Sequence, residues 1–415
     1  MVHDENNALE ASTSLATKTI GAEFIWEAAL AFGHPVAIWR LPETDNVRLI
    51  VSEEMLPAEV IPDLEKLPSG FLMAPFSGNV LFLEGSLSVS FSIRHPFVAA
   101  AVGETGHFSE PLFEKAAALQ SAAAESIPEN KLLPRMPEGL AERYKRIVQL
   151  GADAVRQGEL FKVVLSRTKS FDMVPGFSLV RAFLKLEAVY PTAFVSMVSL
   201  PHLGEVWLGA SPELLVGVKK RRFFRTVALA GTQSAKDAAG QLKPKSKVLW
   251  SEKEIEEQAI VSRYIIECFK KIRLREYRET GPKSSKAGNL YHLKSDFEVD
   301  LEAVNFPELG SVMLRLLHPT SAVCGMPKEQ ALHLIATLEG YDRAFYSGYW
   351  GPVNVDENTD LFVNLRTLKV NGDVMTLFAG AGITADSIPE DEWLETELKC
   401  DTLLGVIDPS VSFLN

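Results

Sequence analysis

The stretch Leu361-Phe362-Val363-Asn364-Leu365-Arg366-Thr367-Leu368-Lys369-Val370-Asn371-Gly372-Asp373-Val374-Met375-Thr376-Leu377-Phe378-Ala379-Gly380-Ala381-Gly382-Ile383 decides the fold. Two apolar runs, 361–369 and 374–379, flank Asn371-Gly372, a dipeptide that closes tight hairpins, so the stretch predicts two antiparallel strands. On the first, period two sets Phe362, Asn364 and Arg366 on one face. From there Arg366 either grips a carboxylate in bidentate fashion or makes a surface ion pair. The second strand runs into Gly380-Ala381-Gly382, which permits close backbone approach to an anion but lacks the spacing and βαβ setting of a dinucleotide loop. Just beyond, Ser387 and Glu390 stand at capping-box spacing, predicting a helix with Glu392 and Glu395 stacked on one face.

A matching device lies upstream. Ser251 and Glu254 repeat the capping-box pattern, Glu254 and Glu257 fall three apart, and the apolar residues Ile255, Ala259, Ile266 and Phe269 carry the helix to about Ile272. Capping partly explains Glu254 and leaves Glu257 unexplained. Two acidic helix faces meeting around one hard divalent ion would suit magnesium, which takes oxygen ligands and keeps some of its waters.

Further toward the N-terminus, Lys162-Val163-Val164-Leu165-Ser166-Arg167 reads as a strand with Lys162, Val164 and Ser166 on one face. Lys162 is there either as an edge-strand lysine that discourages aggregation or as a desolvated amine able to act as a base. Glu213 follows Ser211-Pro212 at a bend between apolar strands. It is either a solvated turn carboxylate or one held protonated by burial and able to donate. The remaining pattern predicts a helix over 17–32, short strands over 36–41, 47–51, 71–76, 80–83 and 87–93, and helices over 111–126, 137–158 and 178–189. The segments 234–247 and 280–288 read as loops, and 126–137 as a Pro-punctuated connection. Small residues beside aromatics in 346–351 suggest backbone approached by a ligand.

The chain has 415 residues, 47% hydrophobic, with 42 basic against 54 acidic residues and a net charge of -12. That balance argues against bulk nucleic-acid binding or attachment to an anionic membrane. Three scattered cysteines make neither a disulfide framework nor a thiolate metal site. With no secretion-type N-terminus and no membrane-length apolar run, a soluble cytoplasmic protein is expected. His34, His95 and His107 are isolated and are assigned no chemistry.

From about Pro137 onward the chain resembles the chorismate-utilising enzymes: isochorismate synthase, salicylate synthase, the anthranilate synthase large subunit and aminodeoxychorismate synthase. The resemblance rests on ordered blocks: Lys162 to Arg167, Gly209-Ala210-Ser211-Pro212-Glu213, Ala228-Leu229-Ala230-Gly231-Thr232 and Lys253-Glu254 with Glu257. It continues through His292-Leu293-Lys294-Ser295, His318-Pro319-Thr320, Tyr346 with Gly348 and Gly351, Leu365-Arg366-Thr367, Gly380 to Ile383, and Glu392 to Thr396 with Lys399. It implies one large α/β (α+β) domain, a two-sheet sandwich core flanked by helices with the site in a cleft; residues 1–136 would be a divergent N-terminal portion and 137–415 the catalytic region.

The resemblance also implies a magnesium ion on the ring carboxylate of chorismate, with Glu257 and Glu395 as direct ligands and Glu254 and Glu392 nearby or acting through water. Arg366, Tyr346 and the backbone of Gly380, Ala381 and Gly382 would bind carboxylates, and His292 would lie against the ring. Thr232, Thr320 and Lys399 would line the substrate. Lys162 would be the base that activates water, and Glu213 the acid. Ala230 stands where aminodeoxychorismate synthase carries a lysine, and Gln258 where relatives often have histidine. Isochorismate synthase is the implied activity, with no glutaminase partner. Salicylate synthase is the nearest alternative, followed by an ammonia-using anthranilate-type enzyme and an inactive binding homologue.

Overall fold

The computed structural model describes residues 20–58, 63–92, 95–102, 107–123, 129–135, 137–235, 241–287 and 290–413; the side chains of 58, 95–102, Thr232 and 287 lie outside it. Twenty strands and eight α-helices are found among the described residues. The larger sheet runs, in spatial order, β16 (Gly325–Met326), β9 (Lys162–Met173), β20 (Val374–Ile383), β19 (Thr367–Asn371), β11 (Glu205–Ser211), β10 (Phe194–Leu200), β1 (Val36–Arg40), β2 (Asn46–Val51), β6 (Leu87–Ser92) and β7 (His95–Val102), with β8 (Leu132–Arg135) also pairing with β9. The smaller runs β14 (Arg278–Ala287), β15 (Leu290–Asp300), β13 (Phe223–Ser234), β12 (Leu214–Lys219), β18 (Thr359–Val363), β17 (Tyr349–Val353), β4 (Gly70–Ala74), β5 (Val80–Glu84) and β3 (Met55–Ala58). The helices are α1 (Ala22–Ala31), α2 (Ser109–Ala122), α3 (Leu140–Arg156), α4 (Leu179–Val189), α5 (Glu252–Lys271), α6 (Leu309–Leu317), α7 (Lys328–Leu338) and α8 (Pro389–Ile407).

Strand alternation explains the layering. On β1, Ala37 and Trp39 join an apolar cluster between the sheets while Val36 and Ile38 join one beneath α1, α2, α4 and α8. On β4, Phe71 and Met73 face the same inter-sheet cluster, and Leu72 and Ala74 face a third that includes residues of α5, α6 and α7. Each sheet therefore buries both faces, one on the other sheet and one on helices. Trp207 stands in the inter-sheet layer, stacked on Phe378 with centroids 5.5 Å apart and edge-on to Phe345 at 5.5 Å.

The stretch 361–383 folds differently from its simplest reading. The run 361–369 is two strands, β18 in the smaller sheet and β19 in the larger, because the chain crosses between sheets at 364–366. Asn364 is fully buried with its side-chain amide donating to Phe345 O at 2.9 Å, and Arg366 takes φ +48°, so the two do not share a strand face. A second crossing runs beside the first. β11 passes through Pro212 and Glu213 into β12, while β11 pairs with β19 and β12 with β18. The bends are bonded to each other: Val363 N donates to Glu213 O at 3.0 Å, Ala210 N to Arg366 O at 3.0 Å, and Ser211 Oγ to Val363 O at 2.5 Å.

The hairpin β19–β20 forms as expected, with Asn371 opposite Val374 and Gly372 at φ +59°. Other expectations change. The 280–288 loop is largely β14, an edge strand on β15 with an irregularity between Thr280 and Lys283. The connection 126–137 contains β8, with 124–128 and 136 outside the described residues. Of the loop 234–247, residues 236–240 lie outside them too. Ser251 and Glu254 do form a capping box at the start of α5, whereas Ser387 and Glu390 do not. Pro389 opens α8 with Ile388 as N-cap, Ser387 Oγ accepts from Thr384 N and donates to Glu392, and Glu390 pairs with Lys145. Gly348 and Gly351 lie close against neighbouring strands: a Cβ on either would fall 2.0 Å from Ala74 O or Asp360 O.

Candidate active site

The paired crossings open one wall of a cavity of about 110 Å³. Lys162 from β9 and Glu213 from the first crossing line it, each 4% exposed. Lys162 lies on a strand paired on both sides, at Met326 of β16 and through the neighbouring Val163 to Ile383 of β20, so the edge-lysine reading is set aside. Burial raises the Glu213 carboxyl to about 8, with Lys162 acting in the opposite sense. Glu213 is thus neither solvated nor an ordinary turn carboxylate, and at neutral pH it holds a proton to give.

Arg366, from the second crossing, lies against His292 of β15 with Nη2 3.4 Å from His292 Nε2. His292 Nδ1 is 3.1 Å from Gly231 O, a carbonyl that only accepts, so the proton sits on Nδ1 and the Nε2 lone pair faces the guanidinium. Burial and then Arg366 push the imidazole down to about 3, keeping it neutral. Arg366 faces the cavity and makes no ion pair among the described residues. Burial pushes Tyr346 up to about 12, and its ring stacks on Phe378 at 5.3 Å.

Gly380 and Gly382 clear space. On β20 they pair with Ser166 and Val164 of β9. A Cβ at Gly382 would lie 2.5 Å from Lys162 Cε, and one at Gly380 would lie 3.0 Å from the Tyr346 hydroxyl. Both glycines line the cavity, whereas Ala381, one residue out of phase, is fully buried with Ile383 against the helices. Lys399 donates to Gly380 O at 2.7 Å and pairs with Glu395 at 2.7 Å.

Of the acidic quartet, Glu257 and Glu395 line the cavity, brought to one place by α5 and α8. Burial raises Glu395, but Lys399, Lys253 and Lys162 together outweigh it and the carboxyl is lowered overall. Glu254 and Glu392 are not on the wall. Glu254 accepts from Ser251 N at 2.7 Å and Gln233 Nε2 at 2.7 Å; Glu392, 1% exposed, pairs with Lys253 at 3.0 Å. Burial and then Glu395 raise the Glu392 carboxyl, and its Oε2 is buried without a hydrogen-bond partner among the described residues. Among the described residues, no three His, Cys, Asp or Glu side chains gather closely enough to hold a metal as they stand. The donor chemistry nonetheless fits magnesium: carboxylate oxygens alone, from two helices, one of them buried and unpartnered.

Ala230 lines the cavity; Thr320 is buried but not on its wall, and the Thr232 side chain lies outside the described residues. Gln258 points away, its amide donating to Ala228 O and Ser295 Oγ at 3.2 Å each. Ser347, within the stretch 346–351 expected to meet a ligand, lines the cavity, and so does Phe378, which sequence reasoning missed. Phe378 sits one position before the Ala379-Gly380 step on the predicted strand, and its alternation with Leu377 was the available signal.

With this geometry in place, the chain is assigned to a family: it belongs to the chorismate binding enzymes, matching that family over residues 94–408. It is 32% identical over 266 residues to isochorismate synthase EntC of Escherichia coli K12, covering 63% of this chain and 66% of that protein. It is 29% identical over 273 residues to anthranilate synthase component 1 of Saccharolobus solfataricus, covering 64% and 62%. The matches therefore span just under two thirds of these relatives' length. The fold is that of the solved menaquinone-specific isochorismate synthase MenF of Escherichia coli, with TM-score 0.72 at 20% identity over 97% of this chain and 99% of that one. A 2,3-dihydroxybenzoate-specific isochorismate synthase, DhbC of Bacillus anthracis, gives 0.70 at 22% over 92% and 98%. Among the described residues no helix is long and apolar enough to cross a membrane.

Proposed function

We propose that the chain is a magnesium-dependent isochorismate synthase, converting chorismate to isochorismate by attack of water at C2 and loss of the C4 hydroxyl. One observation carries the reading: two buried groups from different elements, an amine and a carboxyl that burial holds protonated at neutral pH, line a single cavity. Lys162 takes a proton from the attacking water as its oxygen bonds to C2. The ring double bonds shift, the C4–O bond breaks, and Glu213 gives its proton to the departing oxygen, which leaves as water. Base and acid would each contribute about 10²–10⁴-fold in rate.

Arg366 and Tyr346, with the backbone of Gly380 and Gly382, bind the carboxylates of the substrate. Neutral His292 orients the guanidinium without adding a competing charge. Glu257 and Glu395 would hold the magnesium ion, with Glu254 and Glu392 nearby or acting through water. When bound, the ion neutralises the ring carboxylate and the acidic walls and polarises the substrate.

The relatives include both isochorismate and anthranilate synthases, and the family resemblance separates them at two positions. Lys162 is the lysine expected of water-using members, and Ala230 replaces the lysine that attacks the ring in aminodeoxychorismate synthase. Incubation with chorismate and magnesium, followed by chromatography, should give isochorismate. Release of pyruvate with salicylate would assign the salicylate activity instead, and ammonia dependence would assign the anthranilate type. Lys162→Ala and Glu213→Gln should each abolish turnover while chorismate still binds; full activity of either variant would refute its role.

A further inference from the structure

Two of the four carboxylates assigned to the cation, Glu392 and Glu395, are paired with lysines. On α8, Glu392 is almost fully buried, shares its Oε1 between Lys253 Nζ at 3.0 Å and Ser387 Oγ at 2.7 Å, and leaves Oε2 without a hydrogen-bond partner among the described residues. Lys253 comes from the other acidic helix. It stands in the first turn of α5, beside Glu254 and one turn before Glu257, with its side chain 44% exposed. Its ammonium therefore bridges the two helices whose carboxylates would share the ion. One turn along α8, Lys399 does the same for Glu395 within the helix and is fixed in turn by Gly380 O at 2.7 Å.

Two carboxylates three residues apart on one helix repel each other, and a buried one is costly unless paired. The fold answers both problems with lysines, one of which reaches across from the opposite helix.

We propose that Lys253 is a resident counter-ion that stands in for the metal: it tethers α5 to α8 through Glu392 in the metal-free enzyme and is displaced when the divalent cation binds. The proposal rests on the magnesium reading of the site. Because the ammonium and the cation compete for the same carboxylate charge, removing the ammonium makes the metal-free chain less stable and the metal bind more tightly. Lys253 is then a positioning residue that sets how firmly the metal is held; it does not touch substrate.

The test is metal binding without turnover. Binding of Mn2+ to the free enzyme is followed by electron paramagnetic resonance, and melting is followed with and without Mn2+, for wild type, Lys253→Met and Lys253→Arg. Lys253→Met should bind Mn2+ about tenfold more tightly, melt at lower temperature without metal, and recover wild-type melting when loaded. Lys253→Arg, which keeps the charge, should behave as wild type. Stoichiometric Mn2+ binding by wild type together with equal or weaker binding by Lys253→Met would overturn this proposal and leave the magnesium reading standing. If wild type binds no Mn2+ even with chorismate present, both fall.

Discussion

Glu213 illustrates how a single residue couples chemistry to stability. Its carboxyl titrates near 8 in the folded chain against about 4.5 when exposed, so between those values the native state binds more protons than the unfolded one. Stability therefore falls as pH rises through this window, by about 1.4 kcal/mol for each pH unit crossed. Glu213→Gln removes the dependence: its melting temperature should gain on wild type steadily from pH 5 to pH 8, measured by scanning calorimetry. In the wild type, kcat/KM should decline above pH 8 as the acid loses its proton. Parallel melting curves for the two proteins across that range would contradict the assignment. Gly382 gives a second residue-level expectation. Its strand conformation accepts alanine, but the new methyl would collide with the Lys162 stem. Gly382→Ala should remain folded by circular dichroism while kcat falls by roughly 10²-fold or more, in the range expected for a displaced general base.

At the scale of elements, the capping box of α5 makes a local claim. Ser251→Ala removes a side chain that caps Glu254 N and donates to its carboxylate, and should cost about 1 kcal/mol in urea denaturation. The first turn of α5, which carries Lys253 and Glu254, should then exchange its amides faster. The elements were legible where local chemistry acts alone. Short apolar runs bounded by turn residues announced β1, β2, β4, β5 and β6, and the Ser251 box announced α5 within a residue. The sequence misled where a distant partner decided the outcome. β14 is made of turn-forming residues and is a strand because β15 offers it a hydrogen-bonding edge. Ser387 had the spacing of a cap, but Pro389 begins α8 and Glu392 takes the hydroxyl. The run 361–369 looked continuous because nothing local records that its halves belong to different sheets. For the site, the resemblance led to Lys162, Glu213, Glu257 and Glu395, which do line one cavity, while Phe378 was passed over as ordinary strand filling.

Across the whole molecule, the inter-sheet layer ties the cavity to the core. Trp207 contacts Phe378 and Phe345, next to Tyr346, so one aromatic stack joins the centre of the fold to the substrate wall. Trp207→Ala should cost about 3–5 kcal/mol, as large core truncations do. At a temperature where the variant remains folded, it should also raise KM for chorismate, because the Phe378 and Tyr346 rings lose their backing. A stability loss with unchanged KM would show that the stack is structural only.

Glu213 and Arg366 both ride on the segments where neighbouring strands leave one sheet for the other. Those segments tie the two sheets together, so the spacing between acid and guanidinium follows from how the sheets pack. Bulk added or removed at inter-sheet aromatics away from the cavity, such as Trp39 and Phe71, would reset that spacing without altering any group that meets the substrate. Variation in such a lineage therefore has a route to new ring specificities through residues that never face the cavity.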